Sequence, residues 1–226
     1  MPTPHSSPTD TRELILNAAG RIFAENGFHA TTVRQITREA GVNLAAVNYH
    51  FHDKQELYVN VLKHAYQAAA KTAEAERVGS PQQQLRIFIR NFLAHLLDPN
   101  RPEWQGVLIA REMAKPTKAL DRLATESIQP VKRRLIGIVS KLLGPGVPEA
   151  QVNLSCASII GQSLHYVHCR EMISRLFPKA ISLPRDIETL TEHITQFSLG
   201  GLSAVKGRPK MQPKQTRSQS KIVSRL

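Results

Sequence analysis

Apolar residues recur at spacings of three and four along most of the chain, and nowhere do they alternate with polar ones for the length of a strand, which predicts an all-α protein. Between Thr11 and Asn26 the residues Leu14, Ile15, Ala18, Ala19, Ile22 and Phe23 form one apolar face, and Gly27 ends it. Thr32-Val33-Arg34-Gln35 has the capping-box pattern and opens a short helix that closes at Gly41. Asn43 caps a third helix through Phe51, and Asp53-Lys54-Gln55-Glu56 opens a fourth that runs to about Arg77. Beyond Gly79-Ser80-Pro81 the helices lengthen: Pro81 to Leu97, Glu103 to Lys115, Thr117 to Leu143 with an interruption at Pro130, Pro148 to Phe177, and Arg185 to Val205.

The stretch AGVNLAAVNYHFHDKQEL, Ala40 to Leu57, departs from simple amphipathic patterning by setting small and hydrogen-bonding side chains where a core helix would place leucines. Two short helices joined at Gly41, under a first helix that covers both, make a helix-turn-helix unit. Ile36, Ala40, Val42 and Val47 then face helix one, while Phe51 and Leu57 join helix three to helix four. That leaves Leu44, Ala45, Ala46, Asn48, Tyr49 and His50 facing outward. Small side chains let a helix lie deep in the major groove, an apolar one can touch a thymine methyl, and Asn or Tyr can bond to base edges or phosphate. Thr32 caps a helix whose N–H groups can meet a phosphate, Arg34 projects from its first turn, and Lys54 starts helix four at another positive dipole end. The competing reading is an ordinary helical hairpin inside a larger core. The crowding of Tyr49, His50 and Phe51 counts against it.

Net charge adds less than its size suggests. The 226 residues carry +12, but residues 1–60 hold five Lys/Arg against six Asp/Glu, whereas residues 206–226 hold seven basic residues and no acid. The case for DNA therefore rests on local geometry rather than on the total. No apolar run approaches the ~18 to 20 residues of a membrane span. MPTPHSSPTD has neither the basic nor the apolar segment of a secretory signal. Cys156 and Cys169, on one predicted helix, cannot reach each other. A cytoplasmic location with no membrane partner is the resulting expectation.

The segment TTVRQITREAGVNLAAVNYHFHDKQELY, preceded by RELILNAAGRIFAENGFHATT, resembles the N-terminal DNA-binding domain of the TetR family of bacterial transcriptional regulators over residues 10–60. The Gly-Phe before Thr-Thr, the Ala-Gly-Val turn, the Tyr-His-Phe end of helix three and the Lys opening helix four fall in register. The resemblance implies that Thr32, Arg34, Tyr49, His50 and Lys54 contact the DNA backbone or flanking groove. It implies that Leu44, Ala45, Ala46 and Asn48 face bases, and Asn43, the cap of the third helix, is a further DNA-contact candidate. Asn48 stands where an aromatic is often found, and Leu44-Ala45 where a polar residue and glycine are commoner, so no sequence preference carries over. EWQGVLIAREMAKPT and IIGQSLHYVHCREM are similar to the CecR-type subgroup.

A three-helix reader spans only a few base pairs, so specificity demands two half-sites and a homodimer. Pro148 to Phe177 is apolar on more than one side, Arg185 to Val205 offers Ile187, Leu190, Ile194, Phe197, Leu199 and Leu202, and in the TetR family the equivalent pair forms a four-helix dimer interface; the alternative is that both surfaces are internal core. Polar groups set among apolar residues, namely Trp104, Gln105, Arg111 and Glu112, with His165 and Tyr166 further on, could line a pocket for a small-molecule effector. Arg111 and Glu112 equally suit a solvated or internal ion pair. His165-x-x-His168-Cys169 has zinc-like spacing, yet no second cluster supplies a fourth ligand. No oxyanion element accompanies Cys169 as a nucleophile. Neither metal, cofactor nor enzymatic activity is expected.

The sequence thus divides into an arm at 1–9, a helix-turn-helix domain at 10–60 whose last helix continues to about 77, a larger helical ligand-binding and dimerisation domain at 81–205, and a basic disordered tail at 206–226. Its expected function is that of a ligand-responsive repressor that binds a pseudo-palindromic, double-stranded DNA operator as a homodimer and is released by a small molecule. The rival is a helical ligand-binding or protein-interaction module that makes no sequence-specific contact with DNA.

Overall fold

The computed structural model describes residues 8–66, 79–179 and 186–206. The arm before Pro8, helix four beyond Tyr66, the expected helix start at Arg185 and the basic tail from residue 207 lie outside the described residues. Described regular structure is helical throughout: α1 Pro8–Ala30, α2 Val33–Ala40, α3 Leu44–Phe51, α4 Lys54–Tyr66, α5 Pro81–Leu96, α6 Glu103–Ala114, α7 Ala119–Leu123, α8 Gln129–Leu143, α9 Glu149–His168, α10 Arg170–Leu176 and α11 Ile187–Lys206.

Two apolar cores organise these helices. In the first, Ile15, Leu16 and Phe23 of α1 meet Ile36 of α2, Val47 and Phe51 of α3, and Leu57, Val61 and Leu62 of α4. Trp104 and Leu108 of α6 and Ala119 and Leu123 of α7 complete the same core. Helices that follow the expected domain boundary therefore share the apolar interior of the N-terminal unit. The second core is built by α5, α8, α9 and α11, with Leu85, Ile89, Leu135, Val139, Ile159 and Ile194 at its centre. Tyr66 packs against both.

Three helix boundaries differ from the sequence reading. Gly27 does interrupt α1, at φ 79 and ψ 170, but helix resumes as far as Ala30. The Thr31 hydroxyl donates to the Gly27 carbonyl at 2.8 Å and secures this kink. The interruption expected at Pro130 falls earlier, as one π-helical turn at Ala124–Ile128, where the Gln129 N–H reaches the Ala124 carbonyl. Pro130 has no N–H to donate to the carbonyl four residues back, so the ladder widens just before it. The helix expected from Pro148 to Phe177 is two helices, broken at Cys169 (φ −98, ψ 14), whose N–H still bonds the His165 carbonyl at 2.9 Å. The zinc-like spacing of His165, His168 and Cys169 thus runs out of its helix at the third residue. Among the described residues no three His, Cys, Asp or Glu side chains gather to hold a metal ion.

Candidate nucleic-acid interface

Local chemistry sets the α2–α3 corner. The Thr32 side chain accepts from the Gln35 N–H at 3.3 Å, and the Gln35 side chain accepts from the Thr32 N–H at 2.7 Å, so both ends of the capping box are closed. Gly41 takes the left-handed conformation (φ 66, ψ 30) that L side chains adopt only at a steric cost, and the following Val42 N–H bonds the Thr37 carbonyl at 3.0 Å. Asn43 then caps α3 by accepting from the Ala46 N–H at 2.9 Å. Asp53 caps α4 through the Glu56 N–H at 2.8 Å.

This scaffold decides which side chains α3 presents. Val47 and Phe51 are buried in the first core, and the other face turns to solvent: Leu44 is 49% exposed and Tyr49 77%. Asn43, Ala45 and Asn48 are exposed, and Ala46 and His50 half-buried. The Tyr49 and His50 rings meet edge to face at 5.0 Å. Thr32, the cap of α2, and Arg34 in its first turn are exposed. Lys54 reaches back across the start of α4, its ammonium 4.5 Å from the Phe28 ring centre and 3.5 Å from the His29 carbonyl. Desolvation in that nook lowers its pKa from the ordinary lysine value. All ten DNA-contact candidates thus lie on α2, α3 or the adjoining turns and helix start.

Two further side chains join this surface. Arg38 follows Arg34 by one helical turn and is exposed on the same side of α2. His52 has a positive φ of 62 at the α3–α4 turn, with an exposed imidazole. The four-residue spacing of the arginines was visible in the sequence; nothing there foretold the backbone of His52.

This three-helix head has the same corner, cap positions and outward helix face that the sequence pattern required. Residues 15–61 match the family described as bacterial regulatory proteins, tetR family, and residues 81–202, more than half of the chain, match the C-terminal domain of the HTH-type transcriptional dual regulator CecR. The chain belongs to the TetR family of transcriptional regulators. Within it, the regulator is 27% identical to CecR of Shigella flexneri over 174 residues, 72% of this chain and 78% of that protein. It is 33% identical to the repressor AcnR of Corynebacterium glutamicum over 100 residues, 44% of this chain and about half of the relative's length, 48%. A crystal structure of a HlyIIR mutant protein superposes with a TM-score of 0.61 at 27% identity, covering 82% of this chain and 100% of that one.

In this TetR-family regulator the five effector-site candidates are dispersed. Trp104 packs on α1, so closely that a Cβ on Gly20 would lie 2.4 Å from its ring, and it stacks near His64 at 6.3 Å. Arg111 lies against Gly27, its guanidinium 2.6 Å from where a Cβ would stand. Glu112 is fully buried and accepts hydrogen bonds from the Tyr58 hydroxyl, the Thr117 N–H and the Thr117 hydroxyl. These three residues fasten α6 to the DNA-reading head. His165 and Tyr166 lie on α9, where Tyr166 contacts His193 of α11 edge to face at 6.3 Å. None of the five lines the cavity of about 850 Å³ that opens between the α5–α6 connection, the start of α6 and the α9–α10 break. The reason is packing: Trp104 and Glu112 are buried on the side of α6 that carries Leu108 into the first core, whereas Gly106 lies on the opposite side of the helix.

Proposed function

We propose that this regulator represses transcription as a homodimer whose two α3 helices enter successive major grooves of a pseudo-palindromic operator. The supporting observation is the division of α3 into a buried side, Val47 and Phe51, and an outward side of small or hydrogen-bonding groups ending in the protruding Tyr49. Ala45 and Ala46 permit close approach, Leu44 can meet a thymine methyl, and Asn48 can bond a base edge. Thr32, Arg34, Asn43, Tyr49, His50 and Lys54 address the flanking phosphates.

Dimerisation is assigned to α9 and α11. Their exposed faces carry Leu154, Ala157 and Gly161 on one and Phe197, Gly200, Gly201 and Ala204 on the other. Nothing stands within 4 Å of a Cβ placed on Gly161, Gly200 or Gly201, so two helices of a second copy can approach closely. An effector entering the 850 Å³ cavity shifts α6, which grips the reading head through Trp104 and Glu112, and so changes the spacing of the two α3 helices.

The deciding experiment is a gel-shift of the purified protein against the DNA upstream of its own gene across a salt series. Saturable retardation that outlasts competitor DNA is the expected result. No shift even at low salt would favour a helical module that has no operator.

A further inference from the structure

The cavity at the head of α6 has one feature that sets its ligand chemistry. Its lining mixes polar with apolar groups, the latter including Leu96, Leu97, Val167 and the exposed Val107. Set in that lining is Arg101, half-buried, whose guanidinium donates to the Gln105 side-chain oxygen at 3.1 Å and to the Ala65 carbonyl near the end of α4 at 3.1 Å. A cation is thus held in a desolvated place by two neutral acceptors, and burial lowers its pKa from the ordinary arginine value. The neighbouring His95 is pushed down to about 4, by desolvation first and by Arg101 second, so it is neutral at pH 7 and adds no competing positive charge.

The acidic groups at the mouth are exposed, and of them Asp98 acts on Arg101, raising its pKa against the larger effect of burial. Asp98 is exposed and accepts from the Asn100 N–H at 2.9 Å. Glu171 is exposed and pairs with Arg175 at 3.8 Å. Glu103 is exposed in the first turn of α6, where the helix dipole favours it. Charges in solvent are screened, whereas a pair made with the half-buried Arg101 is partly desolvated and stronger.

We propose that this cavity takes a small amphipathic anion, its head group paired with Arg101 and its apolar body laid along Leu96, Leu97, Val107 and Val167, and that pairing draws Arg101 away from the Ala65 carbonyl. The inference rests on the effector-responsive reading above. Arg101 then both meets the ligand and ties the α5–α6 connection to α4, the helix that begins at the DNA-reading head. A planar guanidinium suits carboxylate and phosphate alike, and the inference names the chemistry they share.

Trp104, the single tryptophan of the chain, sits three residues from Arg101 and supplies the signal. Full-length protein is titrated with decanoate, decyl phosphate and decan-1-ol while its emission is followed. At least one anion is expected to saturate about tenfold below the alcohol, the worth of one charge-assisted hydrogen bond. Which anion does so tells carboxylate from phosphate. R101Q should erase the preference and R170Q, at the rim, should keep it. Equal affinity for alcohol and anions in the unaltered protein, no saturation by any of the three, or a preference that survives R101Q overturns the assignment. Should R101Q fail to fold, the comparison of anion with alcohol in the unaltered protein still decides. Hydrogen exchange reads the tether: the last described turn of α4 should exchange faster on adding the preferred anion, and unchanged exchange overturns the release step. Neither readout involves DNA, so a negative gel-shift would sink the operator reading alone.

Discussion

The phenol of Tyr58 on α4 donates a 2.8 Å hydrogen bond to the fully buried carboxylate of Glu112 on α6. Burial and that bond hold the Tyr58 phenol well above its ordinary pKa, so it remains a donor across the accessible pH range. Thr117 supplies two more donors to the other carboxylate oxygen. A carboxylate inside an apolar core is tolerable only when so surrounded, and here the surroundings come from both sides of the junction between the reading head and α6.

Tyr58→Phe should therefore lower unfolding free energy by about 1–3 kcal/mol, because a charged acceptor loses a donor where water does not replace it. Glu112→Ala should lower it further. Urea denaturation at one fixed protein concentration measures both, and an effect within error for Tyr58→Phe would show that the bond carries no net stability.

Arg34→Ala and Tyr49→Ala should weaken operator binding without unfolding the chain, since both side chains are exposed. For Arg34→Ala the loss should be nearly uniform across DNA sequences, with the salt slope reduced by about one unit. Fluorescence anisotropy over a salt series tests this, and thermal melts should match those of the unaltered protein.

Gly161→Arg should leave the subunit folded, because the added side chain meets open space in the single chain. It should split the dimer, because the same space is where the partner helix belongs. Light scattering coupled to size exclusion should report a monomer. A persistent dimer would move the interface elsewhere.

Gly20→Ala and Gly41→Ala should both destabilise, for different reasons. At Gly20 the new methyl would lie 2.4 Å from the Trp104 ring, an overpacking expected to lower stability by about 1–3 kcal/mol and to shift Trp104 emission. At Gly41 nothing is struck, but φ 66 costs an L residue about 1–2 kcal/mol with no spectral change. Denaturation followed by fluorescence distinguishes the two.

Acid should weaken the fold through His95. Its folded pKa of about 4 lies below the ordinary value near 6.5, so between the two the unfolded chain binds the extra proton and folding excludes it. The associated stability is complete above pH 6.5 and is lost as pH falls toward 4. His95→Gln should flatten this part of a stability–pH profile. An unchanged slope would place the titration elsewhere.

Which parts of this molecule could be read from its residues follows a physical line. Thr32 with Gln35, Gly41, and Asn43 with Ala46 act within a few positions of one another, so their order along the chain already specified two short helices, the corner between them and the outward side of α3. That Val47 and Phe51 are buried while Tyr49 protrudes follows from helical periodicity alone. The π turn before Pro130 and the break at Cys169 were not legible: a proline marks trouble without saying where the ladder yields, and Val167-His168-Cys169-Arg170 contains no breaker at all. Nor could the chain order show that Trp104 lies on Gly20, that Glu112 is satisfied by Tyr58 fifty-four positions earlier, or that Arg101 reaches the Ala65 carbonyl. Polar residues at helical spacing look alike whether they line a cavity or bolt two helices together. Only the path of the chain through space decides, because the contacts that separate those roles join residues far apart in sequence.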